Sequence, residues 1–313
     1  MTSRSLSRQI LWCSLALMIA ALAGPELVAQ QQLQFVLAAS DAAGNPVTDF
    51  KPEEFTMSEN GMPAKILKVE PLNIPVRLTV SIDNGSSSSE ALAHYRTGLT
   101  GLVEALPPDV EVTLITTSPQ PRTIVKPTKD RAEILRGITR FGPDQERPRF
   151  TDSLVEYAQR LEKDMKDRKV VDFVPVFVGL STTENEAASY QVNEVEKALT
   201  FLTQRKARIF ITIFSAKAND VNAVADLNTN RQALISIPLV KATNGKFETL
   251  AISNRLATLL PEFGREIAIL ARKHGNQVRV TVQRPDGLTG NLQNPDIRIT
   301  RPGVNGAVSF DGL

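Results

Sequence analysis

Cysteine is almost absent from this sequence of 313 residues. The only one, Cys13, lies in an apolar N-terminal segment, so the chain that follows this segment contains none. Disulfide bonds, thiolate chemistry and cysteine-based metal sites are therefore excluded for the mature chain. A folded chain without disulfides has to be stabilised by its core, and this length allows a sizeable one.

Neither basic nor acidic residues are in large excess, and aromatic side chains are few. Aromatic residues make up 5% of the chain, and 36 basic residues nearly balance 34 acidic ones. Because the sequence offers neither a basic stripe nor rings on which bases would stack, we do not expect nucleic-acid binding. The run of mixed charge over residues 162–169 is interpreted as a solvated helix end.

The one long uncharged run lies at the N-terminus. Arg4 and Arg8 precede an apolar stretch over residues 10–23, which is too short to span a bilayer comfortably. This pattern predicts a signal peptide over residues 1–29, with cleavage after Ala29, or alternatively after Ala23. We expect the mature chain to be exported, periplasmic or secreted, and not inserted in a membrane. An uncleaved membrane anchor is the other interpretation.

Strand and turn patterns divide the rest of the chain into three predicted segments. Residues 30–72 form a small β module, in which Asn60-Gly61 between two strand patterns indicates a hairpin. Residues 73–275 alternate strands and helices, which predicts an α/β domain with a doubly wound, mostly parallel sheet. Residues 276–313 form a C-terminal β segment, which is expected to pair with the N-terminal module.

Two stretches of the alternating region fit this pattern poorly. The apolar run over residues 170–178 is typical of a buried parallel strand, but Pro175 removes a ladder hydrogen bond. A bulge or register break is therefore predicted there. Residues 215–230 are polar and poorly patterned, which predicts a mobile loop.

The segment over residues 77–90 is the main candidate for a ligand site. An apolar strand ends at Asp83, and the small residues that follow lead into a helix. In open α/β sheets, ligands usually bind at the carboxyl ends of the strands, close to helix N-termini. Ser87 and Glu90 also have the spacing of a capping box, so Ser87 is alternatively a helix cap.

Four stretches, in this order, resemble the von Willebrand factor type A family, and more closely its related group common in Acidobacteria. They are DAAGNPVTDFKPEEFTMSENGMPAKI, VRLTVSIDNGSSSS, FTDSLVEYAQRL and LVKATNGKF. Their order and spacing carry the resemblance, more than any single motif. It implies a von Willebrand A, Rossmann-like fold with small flanking β segments, and a protein-binding or adhesion function.

The resemblance also implies a metal-ion-dependent adhesion site, of which this chain keeps only part. The family pattern combines D-x-S-x-S, a threonine and a later aspartate, an oxygen set that suits Mg²⁺. Asp83, Ser87 and Thr151 match the pattern. Gly85 replaces the first serine, and the final aspartate is missing from the stretch that ends at Ser181. We therefore expect no cofactor, with Mg²⁺ as the alternative.

Three loops are predicted to form a binding edge, over residues 83–89, 149–153 and 179–189. The expected binding residues are Asp83, Gly85, Ser87, Thr151 and Ser181. Leu180 in place of a charge favours a surface that contacts a protein partner without a metal. The alternative is Mg²⁺-dependent adhesion through Asp83, Ser87 and Thr151, completed by waters and a carboxylate of the partner. As a purely structural alternative, Thr151 caps the helix that follows it.

Catalysis is not expected. Gly85 to Ser89 is one residue short of a G-x-S-x-G nucleophile elbow, because Ser89 stands where the second glycine belongs. His274 follows in the chain order of an α/β-hydrolase, but its Arg-Lys-His-Gly context indicates a charge at a helix C-terminus. A secreted serine hydrolase is the weaker alternative to a protein-binding module.

Overall fold

A computed structural model describes residues 32–168, 173–214 and 230–309. The predicted signal peptide and nearly all of the predicted loop over residues 215–230 lie outside the described residues. Among the helices in these ranges, none has the length and apolar character needed to cross a membrane.

The strands of the described residues form two sheets. In chain order they are β1 (Gln32–Ser40), β2 (Phe55–Glu59), β3 (Met62–Leu72), β4 (Val76–Ile82), β5 (Glu111–Thr116), β6 (Arg122–Thr128), β7 (Val174–Thr182), β8 (Arg208–Phe214), β9 (Lys246–Leu250), β10 (Gln277–Gln283), β11 (Pro295–Ile299) and β12 (Asn305–Ser309). The central sheet has the order β6-β5-β4-β7-β8-β9, and the second sheet has the order β11-β2-β3-β10-β1-β12.

Helices cover both faces of the central sheet. In chain order they are α1 (Leu92–Ala105), α2 (Arg131–Arg140), α3 (Phe150–Arg168), α4 (Val192–Gln204), α5 (Arg231–Ala242) and α6 (Leu256–Gly275). One apolar core joins α1, α2 and α6 to one face, and a second core joins α3, α4 and α5 to the other. Since all neighbouring strands except β5 and β6 are parallel, the predicted doubly wound α/β sheet is confirmed.

Pro175 does not interrupt β7, so the break predicted there is wrong. The parallel register between β7 and β4 runs through Pro175 without a shift. Val174 donates its N–H to the carbonyl of Pro75 on the β4 side, at 2.8 Å. The nitrogen of Pro175 therefore faces β8, with which pairing begins only at Val176. At the start of a strand the missing N–H leaves no ladder bond unmade.

The second sheet joins the two ends of the described chain. Its five strand pairs are all antiparallel, and β10 lies between β1 and β3. The expected pairing of C-terminal strands with the N-terminal module is thereby confirmed, whereas the exact domain limits stay a prediction. Leu72 of β3 lies opposite Gln277 of β10. The chain therefore passes from β3 into the α/β region and returns from it into β10 at neighbouring positions of this sheet.

The hairpin predicted at Asn60-Gly61 is confirmed. Glu59 of β2 lies opposite Met62 of β3, which leaves a turn of two residues. Both turn residues have positive φ, 51° at Asn60 and 78° at Gly61. These values are those of a type I′ turn, whose twist matches that of the flanking strands.

A buried ion pair holds the C-terminal strands against this hairpin. Arg284 donates to Glu59 from Nε at 2.8 Å and from a terminal nitrogen at 2.5 Å. The two side chains are 2% and 0% exposed, respectively. The N–H of Gln293 adds a third bond to Glu59 at 3.1 Å. The bonds from Arg284 lower the pKa of Glu59, so the carboxylate stays charged in the core of the sheet.

Candidate functional site

The candidate site lies where the strand order of the central sheet reverses. From β4 the order continues to β5 on one side and to β7 on the other. Such a reversal opens a crevice at the carboxyl ends of the two strands, where α/β sheets usually bind ligands. Asp83 directly follows β4, and Thr182 is the last residue of β7. Both residues therefore stand at the crevice.

Asp83 is fully buried and accepts three hydrogen bonds. Its Oδ1 accepts the N–H of Gly85 at 2.9 Å. Its Oδ2 accepts the N–H of Thr182 at 3.1 Å and the hydroxyl of Thr182 at 2.8 Å. Burial nevertheless raises the pKa of Asp83 to about 6, and the charge of Glu184 raises it further against these bonds. All three donors are neutral groups.

Ser87 faces Thr182 and does not cap a helix. The two hydroxyl oxygens lie 3.3 Å apart. Residues Ser86–Ala91 form a 3₁₀ turn, and α1 begins only at Leu92. The capping-box interpretation of Ser87 and Glu90 is therefore wrong, because the α-helix starts beyond both of them.

Gly85 is in close contact with the loop that precedes α3. A Cβ atom at this position would lie 2.9 Å from Cδ of Pro148 and 3.1 Å from the carbonyl oxygen of Glu146. The N–H of Ser86 donates to the same carbonyl at 3.3 Å. Any side chain at residue 85 would force this loop to move. The space of the first family serine is thus taken by residues 146–148.

Thr151 lies in the first turn of α3 and bonds to a distant carboxylate. Its N–H donates to Oε2 of Glu186 at 2.7 Å, and its hydroxyl donates to Oε1. The predicted cap role of the Thr151 side chain is wrong, because its hydroxyl is used as a donor. Glu186 satisfies an N–H of the first helical turn that has no partner within the helix.

Glu186 is itself held within the site. Its side chain is 2% exposed, and Nε of Arg231 lies 3.5 Å from Oε1. Burial raises the pKa of Glu186, while the two bonds from Thr151 and the charge of Arg231 oppose this rise. The carboxylate therefore connects the loop after β7 to the starts of both α3 and α5.

Asp152 fixes a second point of the loop after β7. Its Oδ1 accepts the N–H of Ser189 at 2.9 Å, and its Oδ2 accepts the Ser189 hydroxyl at 2.6 Å. The N–H of Tyr190 adds a bond at 3.3 Å, and Arg149 lies at the same distance from Oδ2. Asp152 and Glu186 together hold this loop against the start of α3.

Ser181 and Leu180 lie within β7, beneath the surface of the site. Both side chains are fully buried. The hydroxyl of Ser181 points to the carbonyl of Thr182 at 3.5 Å, and it is Thr182 that contacts Asp83. Leu180 therefore offers no surface to a partner, which corrects that part of the prediction.

The predicted site residues fall into two groups. Asp83, Gly85 and Ser87 lie together around Thr182, whereas Thr151 is bonded to Glu186. Sequence reasoning missed Thr182 and Glu186. Thr182 could have been predicted from the strand pattern, since it directly follows Ser181. Glu186 carries no local signal, because its partner Thr151 lies 35 residues away.

The donor set does not fit the metal site that the resemblance implies. Both carboxylate oxygens of Asp83 and the Thr151 hydroxyl are engaged in internal bonds, and Gly85 supplies no side-chain oxygen. In the part of the chain that the structure describes, no three acidic or histidine side chains are grouped to hold an ion. Mg²⁺ requires near-octahedral oxygen coordination. Chemically the arrangement is a hydrogen-bonded junction of the loop after β4, the start of α3 and the end of β7 with the loop that follows it. The predicted loop over residues 149–153 is thus mostly the first turn of α3.

The two residues that a serine hydrolase would require lie at opposite ends of β4. The carbonyl of His274 accepts the N–H of Ile74, which precedes β4, whereas Ser87 follows β4. A strand of seven residues spans about 20 Å, so these side chains cannot pair. His274 lies in the last turn of α6, as its sequence context indicated, and burial lowers its pKa to about 4.

Comparison with known proteins gives structural matches only. No protein-family model matches the chain, and no curated protein matches it. A von Willebrand factor type A protein from Catenulispora acidiphila is similar at 8% identity, with a TM-score of 0.47 over 84% of this chain and 68% of that one. The vWF domain of the type V pili tip protein Mfa5 from Porphyromonas gingivalis is similar at 12% identity, with a TM-score of 0.44 over 64% and 97% of the two chains.

A third similar structure is that of the manganese-loaded Plasmodium vivax TRAP protein. It shares 15% identity, with a TM-score of 0.45 over 78% of this chain and 97% of that one. The likeness is to von Willebrand A domain proteins. This is the family that the sequence motifs indicated. The fold of the α/β region is defined here by its own strand order and by its helices on both faces.

Proposed function

We propose that this chain is an exported, non-catalytic protein-binding or adhesion module that uses its loop edge without a bound metal. The loop edge comprises residues 83–89, 149–153 and 179–189. The supporting observation is that Thr182 bonds to Asp83, and Glu186 to Thr151, so that the loops are connected directly. An edge that is already ordered loses little conformational entropy when a partner binds.

The accessible part of the loop edge is polar. Ser89, Asn185 and Ser189 are exposed there, and Glu146 and Arg147 are exposed on the adjoining loop. Polar side chains on a fixed backbone suit hydrogen bonding to the surface of a folded partner. The proposed partner is therefore a protein, bound at the carboxyl edge of the sheet.

Export rests on the N-terminal sequence and agrees with the lack of cysteine in the mature chain. N-terminal sequencing of the protein recovered from periplasmic and culture fractions tests it. We expect the sequence to begin at Gln30, after cleavage at Ala29. Recovery only from the cytoplasm, with residues 1–29 attached, would contradict export.

Affinity capture from envelope and culture fractions tests the binding function. We expect the protein to capture a partner in the presence of EDTA. Asn185→Arg should abolish capture, because it places a long charged side chain on the loop edge. Asn291→Arg is the matched control, since Asn291 is exposed in the loop between β10 and β11, away from the loop edge.

The outcomes of this capture separate the alternatives. A partner retained equally by Asn185→Arg would show that the loop edge is not the binding surface. Capture that requires Mg²⁺ and is lost in Asp83→Ala would favour the metal-dependent alternative through Asp83, Ser87 and Thr151. Hydrolysis of ester or peptide substrates that is lost in Ser87→Ala would favour the hydrolase.

A further inference from the structure

A cleft of about 580 Å³ lies on one face of the central sheet, apart from the loop edge. Strands β4, β5 and β6 form its floor, and α3 forms one wall. Neither the binding function nor the metal alternative uses this cleft. Its volume falls within the range of roughly 300–1,000 Å³ that is usual for small-molecule sites.

The cleft exists because half of this sheet face is polar. Strands β7 and β8 are apolar and buried at almost every position. Strands β4 and β5 instead alternate, and their half-buried residues Arg77, Thr79, Glu111 and Thr113 face the cleft. Alternation of this kind is typical of a strand with one face open to solvent.

One part of the cleft wall is apolar, although α3 also contributes charged side chains. Phe173 and Leu161 line it and are 3% and 4% exposed. Ile115 adds an apolar surface from the floor, and the ring of Tyr157 packs against Phe177 with ring centroids 5.0 Å apart. A ligand in this cleft would therefore lie between an apolar wall and a polar floor.

Arg77 is held in a fixed position at the mouth of the cleft. Its guanidinium lies over the ring of Phe173, 4.2 Å from the centroid. Its Nε lies 3.1 Å from Glu111, and a terminal nitrogen lies 3.9 Å from Asp164. A guanidinium has five N–H groups, so these two contacts leave donors for a ligand.

Donors outnumber acceptors around the cleft. The hydroxyl of Tyr157 is buried and has no hydrogen-bond partner among the described residues. Burial raises the pKa of Tyr157, so the hydroxyl keeps its proton. Arg160, which pairs with Glu156, and Lys163 also line the cleft, whereas both acidic side chains of the lining already contact Arg77. The group that would complement these donors is an anionic hydrogen-bond acceptor.

We propose that this cleft binds a small organic carboxylate with an apolar body. Its carboxylate accepts hydrogen bonds from Arg77 and from the hydroxyl groups of the floor. Its apolar body lies against Phe173 and Leu161. A guanidinium forms its strongest hydrogen bonds with such an anion, because both partners are charged.

Titration with 4-phenylbutyrate, followed by ¹H–¹⁵N NMR of the protein, tests this proposal. We expect saturable shifts of amide signals in β4, β5, β6 and α3. The neutral analogue 4-phenylbutyramide has the same body but no charge. It should bind at least about tenfold more weakly, because charge-assisted bonds are lost.

Two variants locate the binding. Arg77→Leu removes the charged donor and should weaken 4-phenylbutyrate binding at least about tenfold. Thr113→Phe fills the cleft from its floor without changing any charge, and should abolish binding. Arg140→Leu is the matched control, because Arg140 lines a different cleft between β6 and α2; it should bind as the unmodified protein does.

Three results would overturn the proposal. They are the absence of saturable shifts at millimolar 4-phenylbutyrate, shifts confined to the loop edge, and unchanged binding in Thr113→Phe. The NMR spectrum of each variant reports whether it is folded. Should Arg77→Leu fail to fold, Thr113→Phe and the neutral analogue still decide the question.

Discussion

Two buried carboxylates, Asp83 at the central sheet and Glu59 in the second sheet, differ in the charge of their partners and in the direction of their pKa shifts. Both are fully buried. Glu59 is paired with Arg284, whose bonds lower its pKa. Asp83 accepts bonds only from neutral groups, and burial raises its pKa to about 6.

The difference separates a structural ion pair from a carboxylate that lies at a ligand crevice. The charge of Glu59 is compensated within its own sheet, so the pair connects strands. The charge of Asp83 is costly near neutral pH, because desolvation is only partly offset by its three hydrogen bonds. We infer that Asp83 serves as the acceptor that joins the loop after β4 to the end of β7.

The largest effect on stability is expected when Glu59, whose charge is compensated by Arg284, is replaced. Glu59→Leu removes the carboxylate that compensates the buried charge of Arg284, which should reduce the free energy of unfolding by about 3–5 kcal/mol. Urea denaturation measures this change. Asp296→Leu is the matched control, since its pair with Arg298 is exposed, and it should change stability little. An equal effect of both variants would contradict the assigned role of Glu59.

The next largest effect is a change of stability with pH that is caused by the titration of Asp83. Its pKa is raised from 3.8 to about 6 in the folded state. Between these values the folded protein binds more protons than the unfolded chain. The contribution of Asp83 to stability should therefore fall as pH rises from about 4 to about 6, by roughly 3 kcal/mol in total.

Comparison of the protein with Asp83→Asn isolates this contribution. The stability difference between the two should change over that pH range and stay constant above pH 7. The pKa of Glu186 is also raised, but Glu186 is present in both proteins and cancels in the difference. A difference that does not vary with pH would show that Asp83 is not protonated in this way.

A smaller effect is expected from restoring the first serine of the family pattern. Gly85→Ser places a Cβ 2.9 Å from Pro148, and should cost about 1–3 kcal/mol of stability through overpacking. Gly142→Ser is the matched control, because a Cβ there meets no atom within 4 Å. Denaturation curves that coincide for Gly85→Ser and the unmodified protein would contradict the close contact.

The smallest effect concerns the bond between Thr151 and Glu186. Thr151→Val removes the hydroxyl donor but leaves the N–H of residue 151 and Arg231 in place. We expect a loss of about 1–2 kcal/mol in the free energy of unfolding. Thr139→Val, at an exposed hydroxyl, should change it by less than about 0.5 kcal/mol. Equal losses would mean that the bond does not stabilise the junction.

The fold was largely accessible from the sequence, because its signals are local. The strand-to-helix alternation, the Asn60-Gly61 turn and the apolar face of α6 all follow from short-range periodicity and turn chemistry. Pro175 was misjudged, because its effect depends on where the neighbouring strand β8 begins. That is a property of the register between strands, which no local pattern records.

Less of the site could be predicted from the sequence, because its contacts join distant parts of the chain. The sequence indicated Asp83, Thr151 and the segment over residues 179–189, but it did not single out Thr182 and Glu186 within that segment as their partners. The role of Gly85 also depends on the approach of a loop more than 60 residues later. The position of His274 at a helix C-terminus could be predicted, whereas its burial depends on packing near the start of the central sheet.

Calorimetric titration of the protein with Mg²⁺ and Mn²⁺ tests the metal-free loop edge most directly. We expect no saturable heat up to millimolar metal, either for the unmodified protein or for Asp83→Ala. Saturable heat in the unmodified protein that Asp83→Ala abolishes would contradict it. That result would favour adhesion through a metal held by Asp83, Ser87 and Thr151.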